Sequence, residues 1–102
     1  MLVIPNAHAS NLADMDEDSG AHIFKIAQRM AGALRKSGLK CEGVNLFLAD
    51  GEAAFQDVFH VHLHVIPRYK GDGFKFEFSP SYYQLPSREE LDHAAGQIRV
   101  ML

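Results

Sequence analysis

Three histidines at alternate positions, His60, His62 and His64, are interleaved with Val61, Leu63 and Val65. No other feature constrains the chain as strongly. An alternation of period two is the pattern of a half-buried β-strand, because successive side chains point to opposite faces of a sheet. On such a strand Val58, His60, His62 and His64 share one face, and Phe59, Val61, Leu63 and Val65 the other. The aliphatic face requires a covering layer, so the chain must combine strand with further structure. Pro67 is expected to end the strand.

The rest of the pattern supplies that layer. Leu2-Val3-Ile4-Pro5 reads as a short strand stopped by proline, and the polar run Asn6 to Ser19 as a loop entering a helix. Asp16, Glu17 and Asp18 suit a helix N-terminus, where the macrodipole favours negative charge. Ile23, Ile26, Ala27, Met30 and Leu34 follow as one apolar stripe. Arg35 and Lys36 suit the last turn, and Gly38 the position beyond it. Val44 to Ala49 predicts a second strand, antiparallel to the histidine strand and joined to it by a loop from Asp50 to Asp57. Phe74, Phe76 and Phe78 alternate with Lys75 and Glu77 and predict an edge strand. Ser87-Arg88-Glu89-Glu90 is a capping-box pattern opening a helix with Leu91, Ala94, Ala95, Ile98 and Met101 on one stripe. The expectation is one α+β domain over residues 1–102, with a sheet so thin that a second copy of the chain would complete it.

Charge and cysteine usage narrow the function classes. Ten Lys and Arg against thirteen Asp and Glu give a net charge of -3, without the basic excess of a nucleic-acid-binding domain. No apolar run approaches the ~18 residues of a membrane span. Cys41 is the only cysteine and cannot form an internal disulfide, which suits a cytoplasmic protein.

The histidine face admits three readings. The first is three solvated side chains on a half-buried strand. The second is a metal site, but side chains at i and i+4 on a straight strand lie about 13.5 Å apart, so at most two imidazoles reach one ion. Further ligands would have to come from elsewhere, with His8 and Cys41 as candidates. The third is nucleophilic catalysis, in which a neutral imidazole attacks phosphorus or a carbonyl and a neighbouring histidine sets its tautomer. The preceding loop, with Gln56 and Asp57, could offer N–H donors to phosphate oxygens. His8 reads better as a loop hydrogen-bonding partner than as a ligand, and Asn45 as a structural hydrogen-bonding residue rather than a catalytic one.

His60-Val61-His62-Leu63-His64-Val65-Ile66 resembles the signature of the histidine triad (HIT) superfamily. The resemblance extends upstream through Asp50 to Gln56, downstream through Pro67-Arg68-Tyr69, and covers Leu2 to Pro5 with His8 and the following helix. It implies an α+β fold whose antiparallel sheet joins that of a second subunit in a homodimer. It also implies hydrolysis or transfer at the α-phosphate of a nucleotide, such as a nucleoside phosphoramidate or dinucleoside polyphosphate. His62 would be the nucleophile and His64 would contact the phosphate. His60 would orient the site, its carbonyl accepting a bond from the nucleophile's other ring nitrogen. Gln56, Asp57 and Asn45 would lie on the phosphate and substrate side. The resemblance implies no cofactor and no catalytic metal. It leaves as alternatives a HIT-like dimer acting through protein contacts and a metal-dependent protein.

The chain departs from the superfamily pattern in four places. Strands that relatives carry before the Leu2 segment are expected to be missing, a truncated form of the fold. Phe55 stands where relatives have glycine, and Ala49 where many have asparagine. Some relatives bind structural zinc through a Cys-x-x-Cys, a histidine after the Ile-Pro segment and the first triad histidine. His8 and His60 match the last two, and the cysteine pair is absent from residues 1–102, so no intact zinc site is expected.

Overall fold

The computed structural model describes residues 1–102, which divide into two compact units, Met1–Asp72 and Gly73–Leu102. The first unit holds β1 (Leu2–Val3), α1 (Glu17–Lys36), β2 (Gly43–Phe47) and β3 (Leu63–Arg68). The strands form one antiparallel sheet in the order β1-β3-β2, with β3 central.

Local chemistry sets the ends of α1. The Asp16 carboxylate accepts from the Ser19 amide at 2.8 Å and from its hydroxyl at 2.6 Å, satisfying an N–H that the first turn leaves unpaired. After Ser37 the backbone enters the left-handed region at Gly38 (φ +80), where a side chain would be strained. Ile23, Ala27 and Leu34 of the predicted stripe are buried, and they pack with Ala9, Val61, Leu63 and Val65 into one core. Ala27 has no exposed surface, and its small side chain lets the helix approach the sheet closely.

The histidine segment differs from expectation in three respects. The ladder begins at Leu63, not Val58, because both partners run out there: β2 ends at Phe47 opposite His64, and Val3 pairs Leu63 just before Pro5. Val58 and Phe59 are both exposed, so the alternation of faces starts at Val61. It persists outside the ladder because the Val61 N–H donates to the Ala9 carbonyl at 2.8 Å, keeping the chain extended. Pro67 does not end β3 but lies within it, opposite Val44. The Val65 N–H points toward the β1 side, donating to the Met1 carbonyl, and the nitrogen two residues on points the same way. Pro67 thus turns its nitrogen away from β2, and its missing N–H breaks no rung of the β2–β3 ladder.

In the second unit, Phe74 to Phe78 form no strand. No pairing partner lies alongside, and the rings contact one another instead: Phe74 meets Phe76 edge-on at 5.8 Å, and Phe78 stacks on Tyr82 at 4.1 Å. Helix α2 (Arg88–Arg99) opens with the predicted capping box. The Ser87 hydroxyl accepts from the Glu90 N–H at 3.2 Å, and the Glu90 carboxylate accepts from the Ser87 N–H at 2.7 Å. No helix is long and apolar enough to cross a membrane.

Candidate active site

Registration of the sheet places the triad face. Leu2 and Phe47 flank His64 across the two ladders, and Asn45 pairs with Ile66 on the same face. Val61 and Val65, 1% and 0% exposed, anchor the opposite face in the core, so the imidazoles are held from behind by packing. The rings of His62 and His64 meet edge-to-face at 5.1 Å, and His64 contacts Phe47 at 6.0 Å.

Hydrogen bonds fix the tautomer of His62. Its Nδ1 lies 2.7 Å from the His60 carbonyl, which can only accept, so Nδ1 carries the proton. A neutral ring then has its lone pair on Nε2, and Nε2 has no partner in the chain. The same logic applies to His60, whose Nε2 lies 3.0 Å from the Pro5 carbonyl. Its Nδ1 lies 3.3 Å from Nδ1 of His8, and Nε2 of His8 lies 3.3 Å from the Ser10 hydroxyl. His8 is thus a hydrogen-bonding loop residue, and Ser10 joins it. The only sequence signal for Ser10 was its position two residues after His8.

The remaining predicted residues separate. Gln56 is 3% exposed and committed to the backbone. Its Oε1 accepts from the Gly51 N–H at 2.8 Å, and its Nε2 donates to the carbonyls of Ser10 at 2.6 Å and Val58 at 3.1 Å. Gln56 therefore ties the Gly51–Val58 loop to the segment that carries His8. Asp57 is exposed and lines a cleft with Glu52, Phe55 and Phe59. Asn45 lies on the triad face, where its Oδ1 accepts from Nη1 of Arg68 at 2.6 Å. Arg68 is also paired with Asp72 through Nε at 2.6 Å and Nη2 at 2.9 Å, and this pairing raises the guanidinium pKa above its usual value. Phe55 adopts the left-handed conformation (φ +69) that glycine takes readily, with its side chain 85% exposed. Ala49 is buried. A cavity of about 340 Å³ lies beside the triad, between Leu2, Ile4, Val58, His60 and His62.

A small antiparallel sheet backed by one helix, with three imidazoles on its open face and the middle one tautomerically fixed, defines a histidine-triad protein. The HIT domain family matches residues 1–71, all but the last residue of the first unit. The chain belongs to the HIT family.

Similar proteins include an uncharacterised HIT-like protein of Borreliella burgdorferi, 40% identical over 77 residues, covering 74% of this chain and 55% of that protein. Another, from Mycobacterium tuberculosis, is 39% identical over 97 residues, covering 95% of this chain and 64% of its own length. The chain thus spans less than two-thirds of these curated relatives. Among solved structures, a HIT family protein from Bacillus anthracis superposes with a TM-score of 0.83 at 34% identity, covering 99% of this chain and 71% of that one. A zinc-bound histidine triad family protein from Mycobacterium smegmatis superposes at 0.70 with 41% identity and the same coverage.

The donors of residues 1–102 do not by themselves make a four-ligand zinc site. The two facing Nδ1 atoms of His8 and His60 are 3.3 Å apart, a spacing that two corners of a zinc tetrahedron could share. No group of three His, Cys, Asp or Glu side chains in residues 1–102 could hold an ion, and the Cys41 thiol donates to the Gly43 carbonyl. Structural zinc takes four protein ligands.

Proposed function

We propose that the chain catalyses hydrolysis or nucleotidyl transfer at the α-phosphate of a nucleotide, with His62 as the nucleophile. The observation that carries this reading is the 2.7 Å bond from His62 Nδ1–H to the His60 carbonyl, which leaves the Nε2 lone pair on the open face. In the first step Nε2 attacks the α-phosphorus, and the bond from phosphorus to the leaving nitrogen or oxygen breaks. The leaving group departs with that electron pair and takes a proton from solvent, which the attacking water of the second step gives back. In the second step water attacks phosphorus and the P–Nε2 bond breaks, which frees the nucleotide and returns neutral His62. His64, beside His62 on the same face, contacts a phosphate oxygen. The cavity beside His60 and His62 offers the apolar walls of Leu2, Ile4 and Val58 to the rest of the substrate. The preferred substrate class is a nucleoside phosphoramidate or a dinucleoside polyphosphate.

We further infer a homodimer, because β2 pairs only with β3 and its outer edge lies beside the exposed side chains of Phe24 and Leu46. Sedimentation at micromolar concentration is expected to give twice 11.4 kDa.

The test is turnover of an adenosine phosphoramidate without added metal, with mass spectrometry of the acid-quenched protein. A nucleotidyl adduct on His62, lost together with turnover in His62→Ala, is expected. Full turnover by His62→Ala, or complete loss of activity on adding a chelator, would overturn the mechanism. A folded wild type without turnover would leave a dimer that acts through protein contacts.

A further inference from the structure

We propose that α2 pairs, antiparallel and across a two-fold axis, with α2 of a second copy of this chain. The contact is separate from the triad and from the β2 edge, and its test needs no turnover.

The starting observation is a helix built to form that covers nothing. Every residue from Gly73 to Leu102 is exposed, those of α2 included. Yet α2 opens with a complete capping box, and its acidic residues Glu89 and Glu90 stand in the first turn and Arg99 in the last, as the helix dipole favours. A helix of only twelve residues is marginal in water unless an apolar face is packed. Such a face is present. At about 100° per residue, Leu91, Ala94, Ala95 and Ile98 fall within about 100° of arc.

That face is its own complement. A two-fold contact uses one patch on both sides, so the patch has to match itself when run backwards. With the axis between Ala95 and Gly96, Leu91 of each copy meets Ile98 of the other, and the small side chains of Ala94 and Ala95 let the helices approach at the centre. Charge selects the direction. Arg88, Asp92 and Arg99 lie on one flank of the stripe, and Glu90 and Gln97 on the other. The axis sets each flank against the same flank of the second copy in reverse order. Asp92 and Arg99 are equally far from the axis, so Asp92 of each copy stands level with Arg99 of the other, and the ion pair forms twice. Arg88 Nε, 3.0 Å from Asp92 within the same helix, keeps that carboxylate on the flank. The flank with Glu90 and Gln97 brings no like charges together. Parallel pairing would set Asp92 against Asp92 and Arg99 against Arg99 and align the two dipoles.

The test captures the pair through thiols in the full chain. Cys41→Ser removes the only native thiol and keeps a donor toward the Gly43 carbonyl. In that background Ala95→Cys places one thiol beside the axis, and His93→Cys places one on the back of the helix. A short bis-maleimide should link two copies through position 95 and not through 93, read as a doubled mass. With the thiol at 95, Asp92→Lys or Arg99→Glu alone should slow capture about tenfold, because each reversal turns two weak attractions into two repulsions. The double variant should recover to within about threefold of its parent. A link through 93 as fast as through 95, no link through 95, or a double variant as slow as the single ones would overturn the pairing.

Discussion

Replacing Gln56 tests whether one buried amide holds the triad loop. It makes three hydrogen bonds, to the Gly51 N–H and to the carbonyls of Ser10 and Val58. Gln56→Leu removes all three. At about 1 kcal/mol net for each bond, less about 1 kcal/mol regained by burying an apolar side chain, the loss of stability is about 2 kcal/mol and independent of pH. Gln56→Glu keeps the acceptor toward Gly51 but sets an oxygen where Nε2 faced two carbonyls, at 2.6 and 3.1 Å. Ionised, that oxygen is repelled by both; protonated, it can donate to one. The native carboxyl is therefore held above the unfolded value of about 4.3. Folding takes up a proton above that value, so the penalty grows with pH by about 1.4 kcal/mol per unit until the native carboxyl ionises. Urea denaturation followed by far-UV circular dichroism at pH 4.5 and 6.5 should show the Glu variant losing about 2 kcal/mol more at the higher pH than the Leu variant does. Parallel behaviour of the two variants across that range would refute the assignment of the amide as a donor to both carbonyls.

Phe55→Gly should raise stability by about 1 kcal/mol in the same assay, since the residue already sits at φ +69 with its side chain in solvent, whereas Phe55→Val should lower it. Ala27→Leu should cost about 1–3 kcal/mol by forcing α1 away from Val61 and Val65. The Asp16 carboxyl is held below its ordinary value by the Ser19 hydroxyl and amide, and that of Glu90 by the Ser87 amide and hydroxyl. Both contributions are present above the unfolded carboxylate values and are lost as pH falls through the lower folded ones. Amide protection factors in the first turns of α1 and α2, taken relative to the intrinsic exchange rate at each pH, should therefore fall on acidification, and Glu90→Gln should remove the change in α2.

Sequence and structure agree where side-chain chemistry is local and part where pairing decides. The acidic start of α1, the Gly38 stop and the Ser87–Glu90 box need only neighbours within a few positions, and each is found as expected, with Asp16 acting in addition as the cap. The Phe74–Phe78 alternation has the period of a strand, but a strand also needs a ladder, and none is present beside it. Pro67 misleads for a related reason: whether a missing N–H matters depends on which neighbour it faces, which only the order β1-β3-β2 decides. The histidines lie between these cases. Their common face follows from the pleat and the burial of Val61, Leu63 and Val65, so it is legible without knowing the partners. The tautomer of His60 is not, because the Pro5 carbonyl that sets it lies more than fifty residues upstream. A histidine pattern can thus identify where an imidazole nucleophile would stand. Which of its nitrogens is free to attack is decided by backbone oxygens that carry no residue-type signal at all. For His62 that oxygen is the carbonyl of His60, and the segment from Pro5 to Ser10 steadies the backbone around it, through the Ala9 carbonyl that keeps Val61 extended and the Ser10 carbonyl that Gln56 grips.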